Sequence, residues 1–178
     1  MKKKFWNSER VVSFSAMFIS LLTLFIFIKQ TNIIERQSRL SALPYLMVET
    51  SNNSEDNTFE IEIVNHGVGP AIIEKRVIIY QGKEYNMEFQ DFLRQYIPEM
   101  DSVNITSSST VQIGLSIPAG RSREILKVGG GQKSYTTFLK IMQELQEENS
   151  VFDYEIQYRS IYEERWEIGS RSDVPIEL

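Results

Sequence analysis

The chain begins with an unbroken apolar run and continues as alternating apolar and polar residues. Residues 11–28 contain no charge, no Pro and no Gly, and their polar side chains are Ser13, Ser15, Ser20 and Thr23. A helix of that length spans about 27 Å, which is enough to cross the hydrocarbon core of a bilayer. The run therefore predicts a transmembrane helix, with the lipid bilayer as its partner.

The apolar run also sets the predicted organisation of the chain. We expect a cytoplasmic tail at 1–10, the transmembrane helix at 11–28, a helical stalk at 29–43 and a folded domain at 44–178. Pro44 is expected to end the stalk, because proline cannot continue a helix. A cleaved signal peptide is the alternative, but its apolar region is normally about 7 to 15 residues long and ends at small residues suited to a peptidase.

Beyond Pro44 the apolar residues follow the two-residue period of strands. Phe59, Ile61 and Ile63 alternate with Glu60 and Glu62, as expected for a strand with one buried and one wet face. Comparable segments predict strands at 45–50, 71–80, 83–86, 111–117, 124–128, 151–159 and 162–169. Helical spacing of apolar residues predicts two helices, one through 89–97 and one through 138–145 that Ser134 could cap. The fold class is mainly β: an antiparallel β-sandwich with two inserted helices, preceded by a single transmembrane helix.

Two short motifs carry a resemblance to a family. Residues 65–71, Asn-His-Gly-Val-Gly-Pro-Ala, are similar to the N-x-G-x-G-P-A turn of many uncharacterised bacterial membrane-anchored proteins. Residues 158–166 resemble their late hairpin, Y-x-D-x-x-G-x-x-W, with Ser160 in place of Asp and Glu163 in place of Gly. The resemblance implies one N-terminal transmembrane helix and an immunoglobulin-like β-sandwich; it implies no activity. In the predicted last hairpin, Trp166 is expected to pack against Tyr154, Ile156 or Tyr158.

Charge divides the chain unevenly. The whole sequence has 19 basic and 24 acidic residues, but residues 41–178 hold 12 basic and 22 acidic ones, a net charge of −10. A domain so acidic is repelled by phosphate backbones, so we expect no nucleic-acid partner. The first ten residues carry four basic groups and one acid, whereas 29–40 carry three and one. This bias places the N-terminus in the cytoplasm and the domain outside the cell (inner) membrane.

The composition excludes several classes of chemistry. With no Cys and a single His, His66, the chain cannot build a thiolate zinc site or any mechanism that uses two imidazoles. The glycines at 129–131, followed by Gln132, Lys133 and Ser134, depart twice from a phosphate loop, at Gln132 and Lys127. A flexible strand-to-helix connection and an anion site at the helix N-terminus both stay open.

The abundant carboxylates predict a solvated acidic surface rather than a catalytic pair. The neighbours Glu163 and Glu164, like Glu147 and Glu148, would point to opposite faces of a strand. His66 is expected to be a turn residue, because a lone imidazole makes a poor metal site. We therefore expect no catalytic residue, no bound cofactor and no metal.

Small residues in the transmembrane segment mark a candidate interface. Ser13, Ala16, Ser20 and Thr23 recur at steps of three and four residues and so share one helix face. Small residues allow close helix–helix approach in lipid, so this stripe is a candidate surface for homo-oligomers. The alternative is that the hydroxyl groups bond to their own helix backbone.

These observations favour a non-enzymatic function. The first hypothesis is a single-pass membrane-anchored interaction module that binds a protein partner, as a subunit of a larger membrane or defence-type complex. The second is a membrane-anchored hydrolase that uses carboxylates or a serine from a loop at 107–109, Ser-Ser-Ser. A pocket with convergent ionisable groups would favour the enzyme, and a filled core with only shallow grooves would favour the module.

Overall fold

The computed structural model describes residues 8–146, 152–170 and 172–178. Two compact units divide the chain: one ends at Ser41 and the other begins at Ala42. The first unit contains a long helix, and the second is rich in strands. Most of the predicted tail and the pair Glu147 and Glu148 lie outside the described residues.

The long helix, α1 (Ser8–Leu40), covers the whole predicted transmembrane run. Among the described helices it is the one long and apolar enough to cross a membrane, a test that a signal sequence also passes. It ends before the predicted residue 43, because Pro44 disfavours helical backbone at Leu43, the residue before it. The carbonyl oxygen of Leu43 is used outside the helix. That oxygen accepts the backbone N–H groups of Val68 and Gly69 at 3.0 and 3.2 Å.

The strand-rich unit contains ten described strands and two α-helices. The strands are β1 (Leu46–Asn53), β2 (Thr58–Asn65), β3 (Ala71–Tyr80), β4 (Lys83–Tyr85), β5 (Asn104–Ser108), β6 (Ser116–Ile117), β7 (Ser122–Gly129), β8 (Phe152–Arg159), β9 (Arg165–Gly169) and β10 (Ser172–Glu177). The helices are α2 (Phe89–Tyr96) and α3 (Gln132–Gln146), with a 3-10 helix at Pro98–Ser102. Both predicted helices are thereby confirmed.

The strands form two antiparallel sheets. The four-stranded sheet has the order β1-β2-β7-β5. The second sheet has the order β10-β9-β8-β3-β4, and the short β6 also pairs with β3. The predicted alternation of buried and exposed residues in β2 is confirmed. Phe59, Ile61 and Ile63 are buried, while Glu60 and Glu62 are partly exposed.

Two apolar clusters hold the sheets and helices together. One cluster covers the helical end, where Phe59 of β2 meets Phe138 of α3 edge to face, with ring centroids 5.4 Å apart. The other joins the sheets directly and includes Ile63 of β2 and Tyr158 of β8. Val48 packs against both clusters and so connects them.

Several predictions about local structure were wrong. The predicted strand at 111–117 is a strand only at Ser116–Ile117, because Gly114 turns the chain with φ at 86°. The segment 107–109 is not simply a loop, since β5 includes Ser107 and Ser108 and pairs with the edge of β7. Ser134 is not the N-cap of α3, which already begins at Gln132; its hydroxyl accepts the N–H of Asn104 at 2.8 Å.

The last hairpin confirms the predicted aromatic pair. Tyr158 and Trp166 lie opposite each other in β8 and β9, and their rings stack with centroids 5.8 Å apart. The strand predicted at 162–169 begins only at Arg165, so Glu163 and Glu164 lie in the connecting turn and not on a strand. Glu163 has φ at 65° there, a left-handed conformation that favours glycine. This is the position where the resembling proteins usually have Gly. One further strand, β10, pairs with β9 and was not predicted.

Candidate functional site

The N-x-G-x-G-P motif is a structural clasp. The side chain of Asn65 is fully buried, and its Oδ1 accepts the N–H groups of Tyr45 and Gly67 at 3.1 and 3.0 Å. Its Nδ2 donates to the carbonyl oxygens of Gly69 and Ile117, both at 2.9 Å. All four hydrogen-bonding positions of the amide are thereby used.

The two glycines of the clasp are required by close backbone contact. A Cβ at Gly67 would overlap the backbone of Leu43, and a Cβ at Gly69 would overlap the carbonyl group of Ala42. The motif therefore fastens the segment that precedes β1 against the β2–β3 turn. It leaves no polar group of Asn65 for a ligand.

The histidine and the glycine loop that the sequence offered as candidate sites do not form a common site. Each contacts its own neighbours. His66 is about half exposed and its Nε2 lies 2.5 Å from Glu49 Oε1. Gly130 and Gly131 have positive φ, and a Cβ on Gly130 would overlap the side chain of Asn104. The glycine loop is thus packed against β5, and the Ser134 hydroxyl behind it is already engaged.

The small-residue stripe of α1 has its hydroxyl groups satisfied within the helix. Ser13, Ser20 and Thr23 donate to the carbonyl oxygens of Glu9, Ala16 and Ile19 at 2.8–2.9 Å. The hydroxyl groups thus bond to their own helix backbone, which was the alternative to an interface. Homo-oligomer formation through the stripe stays a prediction.

A cleft of about 990 Å³ lies between the two sheets. The four-stranded sheet contributes Leu46, Val48 and Ile61 to its wall, and α3 contributes Met142 and Leu145. The apolar residues that the second sheet contributes include Ile78, Ile156 and Ile168. The interior is therefore neither a fully filled core nor a shallow groove.

One ion pair lies inside this cleft. Arg76 Nη1 contacts Glu88 Oε1, and both side chains are largely buried. Glu88 Oε2 also accepts the backbone N–H of Val111 at 3.0 Å. Within the described residues, the buried Arg76 Nε has no hydrogen-bond partner.

A β-bulge in β3 directs Arg76 into the cleft. The pairing of β3 with β8 runs from Ile73 opposite Tyr158 directly to Lys75 opposite Gln157, which leaves Glu74 as an extra residue. The extra residue reverses the alternation, so that Arg76 instead of Lys75 shares the inner face with Ile73. Sequence periodicity assumed an unbroken strand and therefore missed Arg76.

Lys75 consequently lies on the outer face of the second sheet. Its Nζ donates to Glu155 Oε1 at 2.6 Å. This hydrogen bond, together with the negative charges of Glu155, Glu84 and Glu167, raises the pKa of Lys75 against a smaller lowering by burial. The lysine stays charged over the physiological range.

Carboxylates collect on the outer face of the four-stranded sheet. We define the acidic face as Glu49, Glu60, Glu62 and Glu124, which project from β1, β2 and β7. Glu62 lies directly opposite Glu49 on one side and directly opposite Glu124 on the other. Three glutamates therefore form one cross-strand row, although like charges in directly opposite positions destabilise a sheet.

Glu60 of the acidic face lies opposite a positively charged residue, Lys127 of β7. Lys127 Nζ donates to Glu60 Oε2 at 3.0 Å. That hydrogen bond, followed by the negative charges of Glu60, Glu124 and Glu62, raises the pKa of Lys127. The row of Glu49, Glu62 and Glu124 has no lysine or arginine ion pair among the described residues.

The acidic row was visible in the sequence only in part. The alternation of β2 places Glu60 and Glu62 on the wet face, but Glu49 and Glu124 become their neighbours only through strand pairing. The −10 charge of residues 41–178 was the available signal. It predicted an acidic surface without locating it.

Comparison with protein-family models found no match, and neither did searches of curated proteins and of solved structures. The resemblance to bacterial membrane-anchored proteins stays a prediction.

Proposed function

We propose that this protein is a single-pass membrane-anchored interaction module without catalytic activity. Its β-rich domain binds a basic surface of a protein partner, as a subunit of a larger membrane or defence-type complex. The observation that carries the proposal is the row of Glu49, Glu62 and Glu124 on the acidic face.

The reason is energetic. A like-charged pair directly opposite in a sheet costs roughly 0.2–1 kcal/mol, and this row contains two such pairs. Uncharged side chains would be compatible with the same strands and would avoid that cost. A basic partner would convert the repulsion into attraction, and such complementarity speeds association and selects partners.

In this proposal α1 anchors the domain in the cell (inner) membrane. The N-terminus is cytoplasmic and the domain is extracytoplasmic, as the charge bias around the apolar run indicates. The apolar length of α1 supports an uncleaved anchor, and the partner is expected on the same side of the membrane as the domain.

We also infer that the domain is immunoglobulin-like. The strand order supports this assignment. If β1, β2, β5 and β7 are strands A, B, D and E, the four-stranded sheet has the order A-B-E-D. The second sheet then contains β4, β3, β8 and β9 as C′-C-F-G, with β10 added at its edge.

The hydrolase alternative has less support. No hydrogen bond joins a side-chain hydroxyl of the serines at 107–109 to a His, Asp or Glu within the described part of the chain. In the cleft, the two ionisable groups that meet, Arg76 and Glu88, neutralise each other, and no His is among its described lining residues.

The double change Glu62→Gln and Glu124→Gln tests the role of the acidic face. We expect full-length protein carrying it to unfold at a slightly higher temperature, since removing both repulsions is worth about 0.2–1 kcal/mol each. We also expect it to lose proteins that the unchanged chain retains in a gentle-detergent pull-down read by mass spectrometry. Stability and binding should thus move in opposite directions.

A matched control is Glu99→Gln with Asp101→Asn. These residues are exposed in the 3-10 helix, so the control removes the same charge away from the acidic face. The control should keep the retained proteins. If the unchanged chain, the double variant and the control all retained the same proteins equally, the proposed binding face would be contradicted.

Topology is tested by a fusion after Leu178. An enzyme reporter that is active only after export should be active in this fusion, because the charge bias predicts an extracytoplasmic domain. A matched fusion to a reporter that functions only in the cytoplasm should stay inactive. The reverse pair of results would overturn the proposed orientation.

A further inference from the structure

The cleft between the sheets is a feature that the acidic face does not explain. Protein interiors are normally packed without large voids, whereas small-molecule sites are mostly apolar cavities of about 300–1,000 Å³. The volume of about 990 Å³ falls at the upper end of that range. Thr50, Gly82 and Ser170 line the cleft and are exposed, so it reaches the surface at these residues.

The walls suit an extended apolar molecule. Ile61, Ile78 and Leu145 are buried members of one core cluster, and Ile156 and Ile168 belong to the other. Residues of both clusters thus line the cleft. Met142 lies on the helical side, where an unbranched, flexible side chain can adapt to the shape of a ligand.

Arg76 provides the polar end of the cleft. A guanidinium group offers five N–H donors and no acceptor. Glu88 contacts the Nη1 atom, whereas the buried Nε atom has no hydrogen-bond partner within the described structure. A buried charged donor of this kind favours an acceptor from a ligand.

The charges in the cleft indicate which acceptor fits. Arg76 and Glu88 cancel, so the ion pair leaves the polar end of the cleft without net charge. A carboxylate or phosphate would enter beside the Glu88 carboxylate and be repelled by it. An uncharged carbonyl or hydroxyl oxygen can accept from Arg76 without that repulsion.

We infer that the cleft binds a neutral lipid-like molecule, with its hydrocarbon chain between the sheets and an uncharged oxygen-bearing head group at Arg76. The apolar walls supply most of the affinity by burying the chain. Arg76 and Glu88 fix the direction in which the molecule enters. The acidic face lies on the outer side of the four-stranded sheet, so the two sites can be tested separately.

The test uses full-length protein in phosphatidylcholine nanodiscs and three probes that carry a photoreactive diazirine in the same alkyl chain. The probes are a monoacylglycerol, the corresponding free fatty acid and a hydrocarbon without a head group. After illumination, mass spectrometry maps the labelled peptides. Labelling of α1 measures how much of each probe has entered the bilayer, so cleft labelling is expressed relative to it.

The monoacylglycerol probe should label the cleft peptides more strongly than either other probe. Arg76→Met combined with Glu88→Gln should lower that labelling roughly tenfold, the loss expected for one hydrogen bond to a charged group. The Gln amide oxygen can still accept the N–H of Val111. Val48→Phe, which narrows the cleft from β1, should lower cleft labelling by all three probes.

Three results would overturn the inference. The first is cleft labelling in the unchanged chain that does not exceed the level in Val48→Phe. The second is stronger labelling by the fatty acid, which would indicate an anion site. The third is equal labelling by the hydrocarbon, which would show that Arg76 recognises no head group. These comparisons need only the unchanged chain and Val48→Phe, so they hold even if the double variant fails to fold.

Discussion

Replacing Asn65 by Ala is expected to destabilise the strand-rich unit by about 3–4 kcal/mol, since each of four lost hydrogen bonds contributes roughly 1 kcal/mol. The remaining partners cannot easily reach water, because Asn65 is fully buried. The measurement is a urea titration of full-length protein in detergent micelles, followed by near-ultraviolet circular dichroism of the tyrosines. The change in midpoint gives the change in free energy of unfolding.

The matched control for this variant is His66→Ala, in the same turn. His66 is half exposed and its ring pairs with Glu49 at the surface, so we expect a change within about 0.5 kcal/mol. Comparable losses in both variants would mean that the turn as a whole, and not the amide of Asn65, is responsible. A loss below about 1 kcal/mol for Asn65→Ala would contradict the clasp, because that is the worth of a single hydrogen bond.

Replacing Trp166 by Ala is expected to destabilise the same unit by roughly 3–5 kcal/mol, the range for deleting a large buried aromatic side chain. The indole is buried and stacks on Tyr158 across the last hairpin. Tyr158 is itself fully buried, and its hydroxyl oxygen accepts the N–H of Leu46 at 3.2 Å. Loss of the indole would therefore disturb the contact between the two sheets as well as the hairpin. The same urea titration gives the free energy.

Two further variants separate packing from local effects. Trp166→Phe keeps an aromatic ring on Tyr158 and should lose less stability than the alanine variant. Ile161→Ala changes an exposed apolar side chain in the adjacent turn and should have little effect. An alanine variant at 166 that unfolds at the same urea concentration as the unchanged chain would show that the stack contributes nothing.

The environment of Tyr158 explains why this part of the core is sensitive. Burial raises the pKa of its hydroxyl to about 12, although the hydrogen bond from Leu46 lowers it slightly. The group therefore stays uncharged, which suits its position between the sheets. It connects β1 of one sheet to β8 of the other through a hydrogen bond that an apolar side chain could not provide.

Local patterns in the sequence were sufficient for several elements. The uncharged run predicted α1, because any helix of that composition is apolar on every side. Period-two alternation predicted β2, and helical spacing predicted α2 and α3, because each element shows its buried face in its own residues. The stack of Trp166 on Tyr158 was also predictable, since a short hairpin determines which residues face each other.

Other features depend on residues that are distant along the chain, and only the tertiary structure decided them. β5 carries little apolar signal of its own and becomes a strand by pairing with the edge of β7. The row of Glu49, Glu62 and Glu124 exists because three separate strands align in register. The bulge at Glu74 turns Arg76 inward to meet Glu88, and no local periodicity announces an inserted residue. Both candidate sites arise from this register, because it decides which side chains become neighbours once the strands have paired.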